Sequence, residues 1–576
     1  MKQIVFDIEA NGLDPDTIWC IIAYERHSKE YIEWTGDSIS SFKDWIEEQE
    51  ELEVIGHNII GYDIPVLEKL LKVDFSKCKV TDTLVMSRLA EPSLQGGHSL
   101  ANWGQLLQQP KGEHSDWLNF SQDMVEYCKQ DVRVNELVYQ KLLRALADFR
   151  TSSLDLESAV QAIISNQVKN GWLLDQEKSF VLLAKLKEKK FDLEDKVHEK
   201  FTPLPTFIKE ITPKVKKDGS YSIVGLKFLG EQWTTATAPF SRLDYPEFNL
   251  GSRQQIGRYL QYFGWVPETF TEKGQPIVDE GVLRKVKGIP EAELIGEYLM
   301  VQKRIAQVQS WLDAVKDDGR VHGYVNPNGA VTGRMTHSSP NMGQVPAGYS
   351  PYGKECREVW IVPKGYKLVG MDASGLELRM LAHYMNDEGY TNEILNGDIH
   401  TANQLAAGIA TRDQAKTFIY AFLYGAGDSK IGSIVGGSAG AGKRLKEKFL
   451  NNTPALRKLR ERVAVASRRG FLLGLDGRRV AVRSEHAALN TLLQSAGAIV
   501  MKKALVLLDE YATAHKLDYK FIGNIHDEIQ TEVAEKDAER FGWLATACIE
   551  AAGNHYKLNC PLAGEYQVGS DWSETH

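Results

Sequence analysis

Asp7 and Glu9 stand two residues apart in Phe6-Asp7-Ile8-Glu9, at the end of a short apolar run. Alternation along an extended chain puts both side chains on one side. Two adjacent like charges are unfavourable unless a cation sits between them, which makes a divalent metal the natural third member. Asp63 follows a second apolar run, Val54-Ile55-Gly56-His57-Asn58, which leads into Gly61-Tyr62-Asp63-Ile64-Pro65. Tyr127 and Asp131 lie four apart inside a helical pattern and therefore share a face. A lone DxE, a surface Asp or a structural Tyr is commonplace; four acids and a tyrosine in this order are not.

A second acidic set lies in the C-terminal half. Tyr366–Met371 reads as an apolar strand ending at Asp372, and Glu377 follows on a helical pattern. Tyr519–Ile525 and Ile529–Val533 read as two strands joined at His526-Asp527-Glu528. Taken singly, Asp372 is a good helix N-cap and Asp527 a good turn residue. Between them, Arg412, Lys416, Tyr420 and Tyr424 recur every fourth residue and form one slowly drifting stripe. Two cations near a helix start oppose the macrodipole. The placement makes sense if an outside phosphate brings the negative charge to the helix-start N–H groups and both cations.

These side chains need elements to hold them. The stripe belongs to a helix that Thr411 can cap, with Gln414 three residues on as in a capping box and Gly425 as a stop. Upstream, Glu177–Lys200 suits a long, largely exposed helix. Phe201–Tyr245 is broken by prolines and carries a basic turn at Lys214-Val215-Lys216-Lys217-Asp218-Gly219. Ser252-Arg253-Gln254-Gln255 is another capping box, opening a helix that stops near Gly264. Arg334 sits in glycine-rich text, Gly329-Ala330-Val331-Thr332-Gly333-Arg334, where it can approach a phosphate or a nucleic-acid groove. Thr81-Asp82-Thr83 and Arg88 read as structural support.

A chain of 576 residues divides into several domains. At 43% hydrophobic and 25% charged it can bury a large core. The net charge of −9 argues against a polyanion partner only if charge is evenly spread, and it is not. Thirteen Lys/Arg fall between Lys443 and Arg483 against Glu447, Glu461 and Asp476, just beyond the striped helix. Six scattered cysteines without zinc spacing read as reduced thiols. The N-terminus turns acidic within a few residues, unlike a secretory signal. The most apolar stretch, near Ile499, is interrupted by Lys502 and Lys503, so no membrane partner is expected.

Asp7/Glu9, Asp63 and Tyr127-x-x-x-Asp131 resemble the three motifs of the DEDDy 3′–5′ exonucleases. Asp372, Arg412/Lys416/Tyr420/Tyr424-Gly425 and His526-Asp527-Glu528 resemble the three polymerase motifs of family A, the DNA polymerase I-like enzymes. Asp372-Ala373-Ser374-Gly375-Leu376-Glu377, Gly397-Asp398-Ile399-His400-Thr401 and Phe422-Leu423-Tyr424-Gly425-Ala426-Gly427 look especially like the replicative polymerases of short-tailed bacteriophages. The resemblance covers nearly the whole chain in order, and is weakest from about 151 to 250. It implies a multidomain α/β protein: a ribonuclease H-like exonuclease domain (1–150), a linker and helical thumb (151–315), a palm in two parts (316–385 and 486–576), and fingers (386–485).

The resemblance also implies roles. Asp372 and Asp527, with Glu528 beside them, would bind two Mg²⁺ for nucleotidyl transfer; Asp7, Glu9, Asp63 and Asp131 would bind two more, with Tyr127 orienting the nucleophile. Arg412, Lys416 and His400 would meet the triphosphate, and Tyr420 the sugar and base, as in relatives that accept dideoxynucleotides readily. Glu377 would exclude a 2′-hydroxyl, and Tyr424 would occupy the template position before closure. Arg334, Asn490, Gln494 and His526 resemble minor-groove contacts that check base-pair geometry. The partners implied are primer-template DNA and deoxyribonucleoside triphosphates, in the cytoplasm of an infected bacterial host, with a processivity factor or replicative helicase left open. No 5′–3′ exonuclease is expected. The thumb looks short for the insertion with which some phage relatives clasp thioredoxin. A single-subunit RNA polymerase, a stand-alone exonuclease or a non-catalytic DNA-binding protein are the rivals. Glu377 beside Asp372, the long C-terminal remainder and two complete acidic sets weigh against them in turn.

Overall fold

The computed structural model describes residues 1–147, 149, 151–227 and 233–575. They form two compact units, Met1–Leu174 with Ala314–His576, and Asp175–Asp313.

The first unit opens with strands Lys2–Ala10, Ile18–Glu25, Glu30–Thr35, Leu52–Gly56 and Lys79–Asp82. In space the third, second and first run antiparallel, and the fourth and fifth add parallel to the first. The first strand is central, so its apolar residues are buried on both faces: Ile4, Phe6 and Ile8 on one, Val5 on the other. Helix Gln122–Ala145 closes the second face through Val125, Cys128, Val132 and Val138. This is the mixed sheet with helices expected for the N-terminal domain.

The boundary expected after residue 150 falls beside Arg150, which lies outside the described residues. Helix Thr151–Asn170 joins the first unit rather than the second. Its Leu156, Val160 and Ile164 share a core with Val500, Leu505 and Leu508 of helix Ala488–Ala514. Its Glu157 also lies between Arg478 and Lys502, at 2.5 and 2.7 Å, deep in that core.

The C-terminal sheet is antiparallel throughout, in the order Tyr519–Ile525, Glu528–Ala534, Tyr366–Ala373, Gly564–Gly569. Trp172, Trp360 and Trp572 cluster on the face of the sheet that carries Glu528, with Trp172 and Trp572 ring centroids 4.6 Å apart. Gly523 lets the sheet meet that cluster, because a Cβ there would lie 2.1 Å from Trp172. The stretch around Ile499 belongs to a 30-residue helical segment, Glu485–Ala514, apolar and long enough to cross a membrane, yet 83% of its most apolar window is buried inside the protein. It is a core helix, and Lys502 is tolerated there because Glu157 pairs with it. Helices Glu388–Asn396, Ile399–Ala407, Arg412–Leu423, Asp428–Ile434, Ala439–Asn452 and Pro454–Ser467 lie in the chain between the strand Tyr366–Ala373 and the other three strands of the sheet.

The second unit contains the expected long helix, Gln176–His198, and a capped helix Arg253–Tyr262, with Ser252 accepting from Gln255 N–H. It is less helical than expected. Thr206–Ile211 pairs with Phe240–Asp244, and Val224–Lys227 with Trp233–Ala236. The basic turn is a small hairpin closed by a bridge between Val215 and Tyr221. Pro203, Pro205, Pro213, Pro239 and Pro246 break the helical period here; residues 228–232 of this stretch lie outside the described ones.

Candidate active site

The N-terminal acids converge. Asp7 and Glu9 project from the same side of the central strand, and their oxygens lie with Cys128 Sγ inside a 4.8 Å cluster. Asp63 starts helix Asp63–Leu71 and accepts from Ile8 N–H at 3.2 Å. Asp131 enters from helix Gln122–Ala145, almost fully buried. Burial pushes every one of these carboxyls up, with repulsion from the other acids of the set adding to it at Asp7 and Glu9: Glu9 to about 8, Asp63 to about 7, Asp131 to about 6, and Asp7 well above its usual range. Asp131 Oδ1 is buried with no hydrogen-bond partner. Oxygen ligands crowded and unsatisfied in this way fit a hard divalent cation. Tyr127 stands beside them, edge-on to Trp117 with ring centroids 5.6 Å apart.

Sequence reasoning missed Lys111. Its Nζ lies 2.6 Å from Asp131 Oδ2 and 4.8 Å from the Tyr127 ring centroid. It comes from a loop with no periodicity, so only its place in Pro110-Lys111-Gly112 could have drawn attention. Asp82 and Arg88 are structural supports, as the sequence implies. Asp82 caps helix Thr83–Ala90 and accepts from Asn58 and Ile60 N–H, bracing the loop that delivers Asp63. Arg88 reaches Tyr324 Oη at 3.0 Å.

In the C-terminal sheet Asp372 is a strand residue, not an N-cap; helix Leu376–Met385 begins later, after Gly375. Asp372 is paired in register with Glu528 on one side and Glu565 on the other. Directly opposed residues share a face with Cα atoms about 5 Å apart. Asp527 is the next residue along from Glu528, in the two-residue connection His526-Asp527. The tight turn is made by His526 at φ 58°, a left-handed conformation uncommon outside glycine. Asp372 is exposed and Asp527 half-buried, and burial holds the Asp527 carboxyl above its usual range. Glu528 differs: it is buried, and its Oε1 accepts from Trp572 Nε1 at 2.6 Å and Gln530 Nε2 at 2.5 Å. Glu565, whose Oε1 accepts from Ser374 Oγ at 3.1 Å, is an acid of the same row that the motifs did not indicate.

The striped helix is Arg412–Leu423, with Thr411 accepting from Gln414 N–H at 3.2 Å. The reciprocal half of the capping box is not made, because Gln414 Nε2 turns to Ile434 O instead. Gly425, at φ 72°, follows the helix as expected, and Ala426 N–H closes the end on Ala421 O. Ala415, Phe418, Ile419 and Phe422 face the core, which leaves Arg412, Lys416 and Tyr424 exposed and Tyr420 half-buried. The stripe is therefore a presented face. Arg412 is held by Asp398, Nε to Oδ2 at 2.6 Å and Nη2 to Oδ1 at 3.1 Å. His400 lies 6.3 Å from Tyr420, ring to ring, and its buried Nδ1 has no partner.

A chain of polar contacts joins this helix to the acids. Tyr424 Oη donates to Glu377 Oε1 at 2.6 Å; Arg334 Nη2 lies 3.3 Å from the same oxygen and 3.9 Å from Asp527 Oδ1. Asn490 and Gln494, one turn apart on helix Ala488–Ala514, are half-buried. Most cations of the Lys443–Arg483 run are exposed, but Arg478 is buried between Asp476 and Glu157.

An acidic antiparallel sheet faced by a helix that offers cations and tyrosines is the arrangement of a nucleic-acid polymerase. Residues 227–574 match DNA polymerase family A. The chain is 36% identical to the DNA-directed DNA polymerases of Escherichia phage T7 and of Enterobacteria phage T3, with all of each chain covered. A solved structure described as the POL domain of Pol1 from M. smegmatis in complex with DNA primer-template and dNTP shares the fold, at TM-score 0.77 and 20% identity over 99% of this chain and 96% of that one. The chain belongs to DNA polymerase family A, as a DNA-directed DNA polymerase of phage replicative type.

Proposed function

We propose that this polymerase extends a primer 3′-hydroxyl at Asp372 and Asp527 and removes 3′-terminal nucleotides at Asp7, Glu9, Asp63 and Asp131. The observation that carries the polymerase reading is the contact chain Tyr424–Glu377–Arg334–Asp527, which ties the nucleotide-facing helix to the acids. For the nuclease it is the convergence of four carboxyls around an orphaned Asp131 oxygen.

Two Mg²⁺ at each site would supply nucleophile activation and charge stabilisation of the leaving oxygen. Asp372 and Asp527 would hold the polymerase pair, with Glu528 fixing the hairpin from its buried bonds to Trp572 and Gln530. The primer 3′-oxygen forms a bond to the α-phosphorus as the bond to the pyrophosphate oxygen breaks. Arg412, Lys416 and His400 line the route of the triphosphate and offset its charge. Arg412 must exchange Asp398 for phosphate. Tyr420 packs against sugar and base, and Glu377, joined to Tyr424, fills the space that a 2′-hydroxyl would need. Arg334, His526, Asn490 and Gln494 approach the minor groove, where acceptors common to all base pairs report geometry. At the nuclease site a water oxygen bonds to phosphorus as the bond to the preceding 3′-oxygen breaks, and Tyr127 orients that water. DNA primer-template and deoxyribonucleotides are the partners, in the infected host cell.

Primer extension on a labelled duplex with Mg²⁺ tests both sites. Asp527→Ala is expected to abolish synthesis and spare primer degradation, and Asp7→Ala to do the reverse. Loss of both activities in either folded variant refutes the assignment to two sites.

A further inference from the structure

Lys111 pairs with Asp131, one of the four N-terminal acids, and the local chain is built to put it there. Gln130 Nε2 donates to Pro110 O at 3.1 Å, tying the loop to the helix that carries Tyr127 and Asp131. Gly112 lies flat on Tyr127, where a Cβ would come within 3.2 Å of Cδ2. His114 and Trp117, further along the same loop, pack against the Tyr127 ring at 5.8 and 5.6 Å. The result is an ammonium 2.6 Å from Asp131 Oδ2 and over the face of Tyr127, with 29% of its side chain still open to solvent.

A lysine here repels any metal that binds the same acids, so its presence has to serve something the metals do not. It leaves Asp131 Oδ1 free while occupying Oδ2, so one carboxylate can face both a metal and the lysine. It also fixes the ring whose hydroxyl must aim a water. We propose that Lys111 is a positioning residue of the 3′–5′ exonuclease, acting through Tyr127 and Asp131. This rests on the exonuclease reading above.

The test uses the full chain with Lys111→Met, Lys111→Arg and Asp7→Ala, and synthesis on primed DNA as the folding control. Single-turnover degradation of single-stranded DNA is expected to slow about 10²-fold in Lys111→Met, the scale on which small misplacements act. KM should change little, and Lys111→Arg should recover much of the rate. Mn²⁺ binding to the DNA-free protein, read by electron paramagnetic resonance, should be no weaker in Lys111→Met, because a competing cation has been removed. Parental degradation by Lys111→Met overturns the proposal. So does loss of Mn²⁺ binding in step with rate, which marks Lys111 as merely holding the site together. If Asp7→Ala degrades DNA as the parent does, the exonuclease reading itself falls.

Discussion

Burial makes the four N-terminal acids sensitive to pH. Glu9, Asp63 and Asp131 ionise at about 8, 7 and 6 in the metal-free folded protein, against about 4 in an unfolded chain. Between those limits the folded state holds protons that the unfolded state has released, so stability falls as pH rises through about 4 to 8. On the proposed reading, Mg²⁺ bound to the ionised acids would remove that penalty. Thermal unfolding should therefore show a larger Mg²⁺-induced rise in Tm at pH 8 than at pH 5, and an Asp7→Ala/Glu9→Ala protein should show much less of it. At the polymerase site, Glu377 is engaged by both Tyr424 and Arg334. Glu377→Ala is expected to raise ribonucleotide incorporation relative to deoxyribonucleotide incorporation, measured as a ratio of kcat/KM values. A variant that rejects ribonucleotides as strongly as the parent removes Glu377 from that role.

At the scale of an element, the helix Arg412–Leu423 sets out Arg412 and Lys416 on the side turned away from Phe418 and Phe422. Its neighbour Ile399–Ala407 begins at Asp398, which accepts from His400 and Thr401 N–H and also holds Arg412. That carboxylate does two jobs, capping one helix and occupying the first cation of the next. Asparagine caps about as well as aspartate but lacks the charge. Asp398→Asn is therefore expected to leave the helix intact by circular dichroism and to lower the KM for deoxynucleotides, because Arg412 no longer trades one anion for another. An unchanged or raised KM with the fold intact would show that Asp398 presents Arg412 to the nucleotide rather than competing for it.

Across the molecule, charge is buried where three parts of the chain meet. Glu157 from the helix after the N-terminal sheet and its helices, Asp476 and Arg478 from the hairpin after the helical region, and Lys502 from the core helix form one closed network. Burial outweighs its partners' pull on Lys502 and brings its pKa down to about 8. Gly333 lies over this network, with a Cβ there 3.0 Å from Arg478 Nη1, so the loop that presents Arg334 is seated on it. Removing one member of a buried set leaves the others uncompensated, at about 3–5 kcal/mol. Glu157→Ala should lower stability to denaturant by that order.

Much of this was legible in the residues. The acids, their order, the period-four stripe and the strand–turn–strand text at His526-Asp527-Glu528 depend on local spacing, and local spacing determines which side chains share a face. It does not say what that face will meet. The loop lysine at Asp131, the burial of Arg478 within a run of solvated cations, and the buried bonds of Glu528 all arise between segments far apart in the chain. So does the attachment of helix Thr151–Asn170 to the core rather than to the unit that follows it. No motif or spacing singled that helix out, and only the packed core chose its partner, because an apolar face has no address until another one covers it.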